Sequence, residues 1–184
     1  MFARTKRLTL RPGWPEEAET LTETIAHEAV AMKLARLPWP YTVGDAEAFL
    51  AVPRGPTDAR FFIMAHEGRQ PQMIGGIGLN LIGRGTAELG YWLTPRAWGR
   101  GYATEAGRAV IDMARHALPL RRLEASHHLD NPASRRVLEK LGFREVRREP
   151  LFSLARGGDV DSAVLALDLE GDTDARSPLM PIAA

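Results

Sequence analysis

Two glycines one residue apart mark the part of this sequence best suited to bind a charged ligand. In "AWGRGYATEAGRAV", residues 97–110, Gly99 and Gly101 stand at the predicted start of a helix. The first N–H groups of a helix lack internal partners and carry the positive end of its dipole, so they bind an anion when no side chain blocks the approach. Arg96 and Arg100 add cations at the same point. The alternative is a tight turn with surface arginines, and this stretch alone does not choose between the two.

Two known nucleotide-binding loops do not match the stretch. A Walker loop needs G-x-x-x-x-G-K-[ST], because its lysine reaches the terminal phosphates and its hydroxyl holds magnesium, and both residues are missing here. A dinucleotide-binding loop needs a βαβ unit and a third glycine, and Thr104 stands at the position of that glycine. What remains is a bare helix N-terminus, open to an anion.

A second stretch places polar residues at the start of a later helix. "LDNPASRRVLEKLGF", residues 129–143, offers Asp130 or Asn131 as the helix cap, Pro132 in the first turn and Ser134 behind it. These residue types are typical of an ordinary helix start. The apolar residues that this helix would bury are Leu138, Leu141 and Phe143.

Hydrophobic periodicity and turn residues predict the elements that position these stretches in a mixed α/β (α+β) chain. The predicted strands are "RTKRLTLRP", "RFFIMAHEG", "QMIGGIGLNLIG", "AELGYWLTP", "RRLEASHH", "REVRR" and "VDSAVLALDL". The second to fourth of them read as an antiparallel meander. The predicted helices begin near Pro15, at a cap formed by Thr42 or Asp45, at Tyr102 and at Pro132, and the last closes at Gly142.

Two of these helices carry distinctive faces. The first has an apolar stripe made of Leu21, Ile25, Ala29 and Met32. The helix after the glycines has a face of small residues that permits close packing on a sheet, made of Ala103, Ala106, Gly107, Val110 and Ala114.

Composition excludes several classes of protein. The 184 residues suit one domain, and 45% hydrophobic with 26% charged residues is ordinary for a globular protein. The absence of cysteine excludes disulfides, thiolate zinc sites and a cysteine nucleophile. A net charge of +1 predicts no nucleic-acid partner, and Arg144, Arg147 and Arg148 read as a solvated strand face. Apolar runs far short of the roughly 20 residues that span a bilayer predict no membrane partner and a cytoplasmic location.

Taken together, "AELGYWLTPRAWGRGYATEA" and "NPASRRVLEKLGF" resemble the GNAT superfamily of N-acetyltransferases, within it the RimJ/RimL-like branch. "RLTLRP" and "PWPYTVGDAEAFL" support the resemblance, which covers most of the chain. It implies one GNAT domain over residues 1–170, a twisted, mostly antiparallel sheet of about seven strands splayed between strands 4 and 5, and helices on both faces. Residues 171–184 lose all periodicity and are predicted to be a C-terminal tail.

The resemblance implies acetyl-CoA as co-substrate and residues that bind it. The family's pyrophosphate motif, Q/R-x-x-G-x-G/A, falls on Trp98, Gly99, Arg100, Gly101, Tyr102 and Ala103, with Thr104 next and Trp98 in place of Gln or Arg. The family's pantetheine arm pairs with the strand before this loop, here the backbone of Tyr91, Trp92 and Leu93. An N–H near Tyr91 would face the thioester carbonyl. Asn131 matches an asparagine that contacts CoA.

The resemblance also implies catalytic residues. Ser134 matches a serine that hydrogen-bonds the sulfur in RimL-like enzymes, while the tyrosine used by other branches falls at Leu138. The glutamate base of RimL-like enzymes falls at Ser153, so Glu88, at the start of the splayed strand, is the first candidate for the general base. A plain surface role for Glu88 is the alternative. Glu149 and His128 are further candidates for the base.

The implied activity is direct transfer of acetyl from acetyl-CoA to a primary amine, foremost a protein or peptide N-terminus. An antibiotic, polyamine or amino acid is the alternative acceptor, and a non-catalytic CoA-binding sensor is the alternative outside the enzymes. His127 and His128 point to opposite faces of their strand, so we predict no metal. A homodimer is a possible assembly by the same resemblance. Trp39 and Tyr41 are predicted either to line the acceptor cleft or to pack in the core.

Overall fold

The computed structural model describes residues 1–53, 55, 58–68 and 70–170 of the chain. Its strands are β1 (Ala3–Arg4), β2 (Leu8–Arg11), β3 (Ala59–Ala65), β4 (Gln72–Gly83), β5 (Thr86–Leu93), β6 (Arg122–His128), β7 (Arg144–Ser153) and β8 (Gly158–Asp168). Its α-helices are α1 (Ala18–Ile25), α2 (Glu28–Ala31), α3 (Val43–Ala51), α4 (Tyr102–Ala117) and α5 (Pro132–Lys140). The predicted tail, residues 171–184, lies outside the described residues.

All eight strands form one sheet in the order β1-β2-β3-β4-β5-β6-β8-β7. Neighbouring strands in this described sheet run antiparallel except β5 and β6, which are parallel. Their pairing is short, because it covers only Thr86 with Arg122, Ala87 with Leu123 and Glu88 with Glu124. Beyond Glu88 the two strands separate, and the sheet opens between the same two segments that the sequence predicts to splay.

Helices cover both faces of the sheet, each over its own core. One core lies under α4 and α5 and includes Leu123, Leu138 and Val110. The other lies under α1, α2 and α3 and includes Leu21, Leu50 and Phe62. The two sides are called the α4–α5 face and the α1–α3 face below. The predicted mixed α/β class, with helices on both faces of the sheet, is therefore confirmed.

The small-residue face of α4 is confirmed as a packing surface. Ala106, Val110 and Ala114 are fully buried in the core under α4 and α5. At Gly107 this face packs tightly against Leu141, at the end of α5, since a Cβ at position 107 would lie 2.5 Å from Cδ1 of Leu141. Any larger residue there would force the Leu141 side chain to move.

Two elements differ from the prediction. The N-terminal strand is broken in two, because a turn at Thr5 hydrogen-bonds both its N–H and its side chain with Leu8. This extra strand, β1, makes eight strands and places the opening between the fifth and sixth. The first helix is also broken: it ends at Ile25, and α2 restarts at Glu28, so Ala29 of the predicted stripe is exposed.

Most other local predictions are confirmed. The second to fourth predicted strands form the antiparallel meander β3-β4-β5. Thr42 caps α3 by accepting the Asp45 N–H at 3.3 Å, and Gly142 adopts φ 90° just after α5. The predicted arginine face is exposed, and two of its members are ion-paired: Arg147 bonds Glu149 at 3.1 Å and Arg148 bonds Glu145 at 2.6 Å. Within the described part of the chain, no helix has the length and apolar character needed to cross a membrane.

Candidate active site

A cavity of about 900 Å³ runs through the opening between β5 and β6. Residues from both faces line it: Trp92 and Tyr41 from the α1–α3 side, and Tyr91 and Ser134 from the α4–α5 side. The start of α4 lines the same cavity. The split in the sheet and the glycine-hinged helix start therefore form one continuous site. Trp39, in contrast, is exposed and does not line it.

The loop before α4 leaves backbone N–H groups open to this cavity. Gly99 and Gly101 adopt φ values of 73° and 80°, a region that other residues enter only with strain. The helix ladder starts with the Glu105 N–H, which donates to the Gly101 carbonyl oxygen at 3.0 Å, so the N–H groups before it precede the ladder. A Cβ at Gly99 would meet no atom within 4 Å. This helix start has the geometry of an anion site.

The cations at this loop differ from those expected from the sequence. Arg100 turns away from the cavity to pair with Glu67 at 2.7 Å, and Arg96 reaches toward the Met73 carbonyl oxygen. Arg7 takes the place beside the loop, where its Nη1 donates to the Arg100 carbonyl oxygen at 3.1 Å. The expectation that Arg96 and Arg100 both flank the anion site is therefore wrong, because neighbouring acceptors claim their side chains.

Two cations of α5 line the cavity instead. Arg136 and Lys140 lie four residues apart, which places them on one side of the helix. Neither forms an ion pair within the described part of the chain. Their i, i+4 spacing was visible in the sequence, but only the packing of α5 on the sheet shows that this side borders the cavity.

The start of α4 is held by the N-terminal strands. The Glu105 carboxylate accepts the Thr5 hydroxyl at 2.6 Å, the Arg7 N–H at 2.9 Å and the Arg7 Nε at 2.7 Å. Burial alone would raise the pKa of Glu105, but these donors outweigh it and lower the pKa. A partly buried carboxylate with three hydrogen bonds to the β1–β2 turn thus anchors the helix whose N-terminus faces the cavity.

The edge of β5 beyond the split faces the cavity with Tyr91, Trp92 and Leu93. Trp92 lies over Gly76 of β4, where a Cβ would come within 2.6 Å of the indole Nε1. Trp98 also lines the cavity, and its indole N–H donates to the Leu93 carbonyl oxygen at 2.8 Å. The residue that replaces the usual Gln or Arg of the loop motif therefore ties the loop to the end of β5.

A contact that the sequence did not predict joins Tyr91 to Ser134. The Tyr91 hydroxyl lies 2.7 Å from Oγ of Ser134 and 3.3 Å from its carbonyl oxygen. Burial raises the pKa of the Tyr91 phenol to about 12, against the opposing effect of the Ser134 hydrogen bond. The family resemblance implies a role only for the backbone of Tyr91, and no local pattern indicates a contact across 43 residues.

Asn131 is the cap of α5. Its side-chain carbonyl oxygen accepts the Ser134 N–H at 3.3 Å, and the residue is 8% exposed. Of the two cap candidates, Asn131 is therefore the one used, while Asp130 pairs with Arg156 at 2.8 Å. The same asparagine lines the cavity and fixes the backbone of Ser134.

Glu88 lies where the sheet splits. It is the last residue of β5 that pairs with β6, and its side chain is 24% exposed and lines the cavity. Its carboxylate forms an ion pair with Arg36, which lies in the segment between α2 and α3. The position of Glu88 at the split agrees with the expectation, while its partner Arg36 was not predicted.

The alternative positions for a base have other contacts. Ser153 is fully buried, and its hydroxyl donates to the Leu34 carbonyl oxygen at 3.3 Å, so the position has a structural role. Glu149 pairs with Arg147 at 3.1 Å and does not line the cavity. His128 is buried, lines the cavity and bonds Oγ of Ser162 through Nδ1 at 3.0 Å. Burial and the Arg156 charge lower the pKa of His128.

The residues proposed for binding acetyl-CoA, together with the first-choice catalytic residues Glu88 and Ser134, meet in this one cavity with one exception. Those that line it are Glu88, Tyr91, Trp92, Leu93, Trp98, Gly99, Gly101, Tyr102, Ala103, Thr104, Asn131 and Ser134. The exception is Arg100, which turns to Glu67. Among the described residues, no group of three or more His, Asp or Glu side chains is arranged to hold a metal ion.

Comparison with known proteins assigns the chain to a family. The Acetyltransferase (GNAT) domain family matches residues 7–144. The chain is a GNAT acetyltransferase. Its relative "Uncharacterized N-acetyltransferase p20" of Bacillus licheniformis is 30% identical over 170 residues, which cover 89% of this chain and 93% of the relative. The expected family and enzyme class are thus confirmed.

Solved GNAT structures share the fold. A GNAT-family acetyltransferase from Bacillus anthracis superposes with a TM-score of 0.79 at 24% identity, covering 92% of this chain and 99% of that one. RimL, a ribosomal-protein alpha-N-protein acetyltransferase in complex with coenzyme A, gives a TM-score of 0.77 at 19% identity and covers 94% and 100%. At these identities the likeness concerns the fold. GNAT acetyltransferases use acetyl-CoA, and RimL-like proteins are among the structural neighbours.

Proposed function

We propose that this GNAT acetyltransferase moves the acetyl group of acetyl-CoA directly to a primary amine in the cavity between β5 and β6. One observation carries the proposal: the split of the sheet and the open N-terminus of α4 line the same cavity. A thioester arm lying along β5 would have its phosphates at that helix start. Direct transfer follows because the chain has no cysteine, and the Ser134 hydroxyl meets a phenol rather than a base.

The residues present fit acetyl-CoA at both ends. The N–H groups of the loop from Trp98 to Thr104 would hold the pyrophosphate, since Gly99 leaves their approach open. Arg136 and Lys140 would face its remaining phosphate charge. The free edge of β5 at Tyr91, Trp92 and Leu93 would pair with the amide groups of the pantetheine arm, as an added strand does.

The chemistry is acyl transfer, and acetyl-CoA supplies the activated acetyl group as its thioester. A backbone N–H near Tyr91 would stabilise negative charge on the thioester oxygen while the amine attacks. Ser134 would donate a hydrogen bond to the leaving sulfur. Asn131 would contact the arm through its amide nitrogen, because its carbonyl oxygen caps α5.

Glu88 is the proposed general base. An ammonium group must lose a proton before its nitrogen can attack, and a carboxylate is a suitable acceptor directly or through water. Glu88 lies at the split and lines the cavity. Its ion pair with exposed Arg36 would open when an ammonium group takes the place of the guanidinium.

Glu88→Gln tests this role. We expect kcat to fall about a hundredfold, while the Kd for acetyl-CoA stays within twofold, because the amide keeps the size of the side chain but accepts no proton. Glu139→Gln is the matched control, since Glu139 is also an ion-paired glutamate, bonded to Arg135 at 2.8 Å outside the cavity. Equal kcat in both variants would remove Glu88 from the mechanism.

The acceptor we favour is a protein or peptide N-terminus. Support comes from RimL, whose name describes an alpha-N-protein acetyltransferase and whose fold this chain shares. The alternative is a small amine such as a polyamine, an amino acid or an aminoglycoside. A screen that detects free CoA thiol with N-terminal peptides, polyamines, amino acids and aminoglycosides would separate these classes.

A non-catalytic CoA sensor is the competing function. It would bind acetyl-CoA but release no thiol with any amine. Calorimetry and thermal melting with acetyl-CoA test the shared part of both proposals, because a ligand bound only by the folded state raises the melting temperature. If millimolar acetyl-CoA gives no heat of binding and does not raise the melting temperature, both proposals are overturned.

A further inference from the structure

We infer that Tyr91 is a positioning residue for acetyl transfer: its hydroxyl donates to Ser134 and so directs the Ser134 proton toward the sulfur of CoA. The inference rests on the proposed function. It gives a role to the side chain of Tyr91, for which the proposed function uses only the backbone. The carrying observation is the 2.7 Å contact between the Tyr91 hydroxyl and Oγ of Ser134 inside the cavity.

The phenol proton of Tyr91 has two acceptors within reach, Oγ of Ser134 at 2.7 Å and the Ser134 carbonyl oxygen at 3.3 Å, and the shorter contact favours Oγ. A phenol and a serine hydroxyl each have one proton to donate. A phenol is the stronger donor of the two, and an aliphatic hydroxyl the better acceptor, so the favoured arrangement has Tyr91 donating to Ser134. Within the described part of the chain, Tyr91 is the partner of the Ser134 hydroxyl. The Ser134 proton is then free for an acceptor in the cavity.

The surroundings keep Tyr91 in its donating form. Burial raises the pKa of the phenol to about 12, so it holds its proton throughout the neutral range. A hydroxyl that accepts a hydrogen bond becomes a better donor, because the chain of bonds is polarised in one direction. The order from Tyr91 to Ser134 to sulfur therefore strengthens the last bond as negative charge grows on sulfur.

The backbone holds both residues across the split. Tyr91 lies on β5 beyond Glu88, where pairing with β6 has ended. Ser134 lies in the first turn of α5, and its N–H is fixed by the Asn131 cap at 3.3 Å. The phenol thus crosses the opening from one side to the other, and Ser134 is held at its N–H as well as at its hydroxyl.

The transfer balances with these two residues as hydrogen-bond donors. The ammonium gives one proton to the base, the new C–N bond forms and the C–S bond breaks. The nitrogen then gives up its second proton, and the thiolate takes one up from solvent or from the amine. Serine is a far weaker acid than a thiol, so Ser134 stabilises the thiolate charge by a hydrogen bond and keeps its own proton.

The test is a double-mutant cycle with Tyr91→Phe, Ser134→Ala and the double variant. We expect kcat to fall about tenfold in Tyr91→Phe, and the double variant to be no slower than Ser134→Ala, because the two residues act on sulfur through one hydroxyl. The Kd for acetyl-CoA should stay within twofold. Additive losses, or wild-type kcat in Tyr91→Phe, would overturn the inference.

A spectroscopic readout separates positioning from a structural role. The thiolate of CoA absorbs in the ultraviolet, so a pH titration of the binary complex gives the pKa of the bound thiol. We expect this pKa to rise in Tyr91→Phe and in Ser134→Ala and to stay unchanged in Thr24→Val, which removes a buried hydroxyl of α1 that does not line the cavity. Thermal melting of each variant checks folding.

The outcomes distinguish this inference from the function beneath it. If the wild-type protein does not bind CoA, the proposed function fails and the inference fails with it. If CoA binds and the thiol pKa is the same in wild type and Tyr91→Phe, only the inference is overturned.

Discussion

Asn131 combines two tasks in one side chain. Its carbonyl oxygen caps α5 by accepting the Ser134 N–H, and the residue lines the cavity beside Ser134. The cap satisfies a backbone donor at the start of the helix, and it also fixes the position of the serine that we propose to face sulfur. Stability and site geometry are therefore coupled at this residue.

Asn131→Ala should separate these tasks when it is compared with a second cap variant. We expect a loss of about 1 kcal/mol in the free energy of unfolding, with acetyl-CoA affinity lowered as well. Thr42→Ala removes the cap of α3, which accepts the Asp45 N–H, and should cost a similar free energy without changing the affinity. Urea unfolding and calorimetry measure the two quantities. Equal affinities in the two variants would show that Asn131 acts only as a cap.

At the scale of elements, the start of α4 is fixed by strands at the far end of the sequence. Glu105 on the first turn binds Thr5 and Arg7 of the β1–β2 turn. Arg7 also lies over the ring of Tyr102, with Cζ 4.5 Å from the ring centre. Because these contacts orient the helix, the N–H groups ahead of Glu105 point into the cavity before any ligand binds.

The glycines of this loop predict a matched pair of variants. Gly99 and Gly157 have φ values of 73° and 66°, and a Cβ at either position would meet no atom within 4 Å. Alanine at either position should therefore cost about 1–2 kcal/mol of stability through backbone strain. Only Gly99→Ala adds a methyl group where the pyrophosphate would lie, so we expect a tenfold or larger rise in the Kd for acetyl-CoA. Calorimetry measures the Kd. Similar values for Gly99→Ala and Gly157→Ala would show that the phosphates bind elsewhere.

At the scale of the whole molecule, pairing of carboxylates makes stability depend on pH. The carboxyl groups whose pKa lies below its ordinary value are Glu17, Asp45, Glu67, Glu105 and Glu145. Each contributes stability that is present above its unfolded pKa, 4.5 for the glutamates and 3.8 for Asp45, and is lost as the pH falls through the lower folded value. His128 also makes stability fall at a higher pH than the carboxylates do. Its pKa in the fold lies below 6.5, so below pH 6.5 the unfolded chain binds a proton at His128 more readily than the folded chain does.

The melting temperature should follow this order. We expect a shallow decline as the pH falls below about 6.5, and a steeper one, of roughly 5 °C or more, as it falls through about 4.5. Glu105→Gln should have a lower melting temperature than wild type at neutral pH. Its melting temperature should fall less on acidification, because one paired carboxylate is gone. Scanning calorimetry over this range checks both slopes. A melting temperature that does not change between neutral pH and pH 4 would contradict the pairing seen in the fold.

The elements of this fold could be predicted because their signals are local. The meander follows from strand periodicity and turns. Thr42 and Asn131, each one of two cap candidates in the sequence, cap α3 and α5 because a polar side chain must accept the first N–H groups of a helix. The break of the first helix after Ile25 could not be predicted, since the buried residues that follow are Val30 and Ala31 rather than those of a continuous stripe.

The sequence by itself determined the family, most of the strands and helices, and most of the residues proposed for the donor site, because these depend on motifs and on spacing along the chain. Only the tertiary structure decided which side chains meet. Tyr91 reaches Ser134 across 43 residues, Glu88 meets Arg36 across 52, and Glu105 meets Arg7 across 98. The same packing turned Arg100 away to Glu67. Such contacts depend on how the sheet opens and where the helices pack on it, and no periodicity along the chain encodes them.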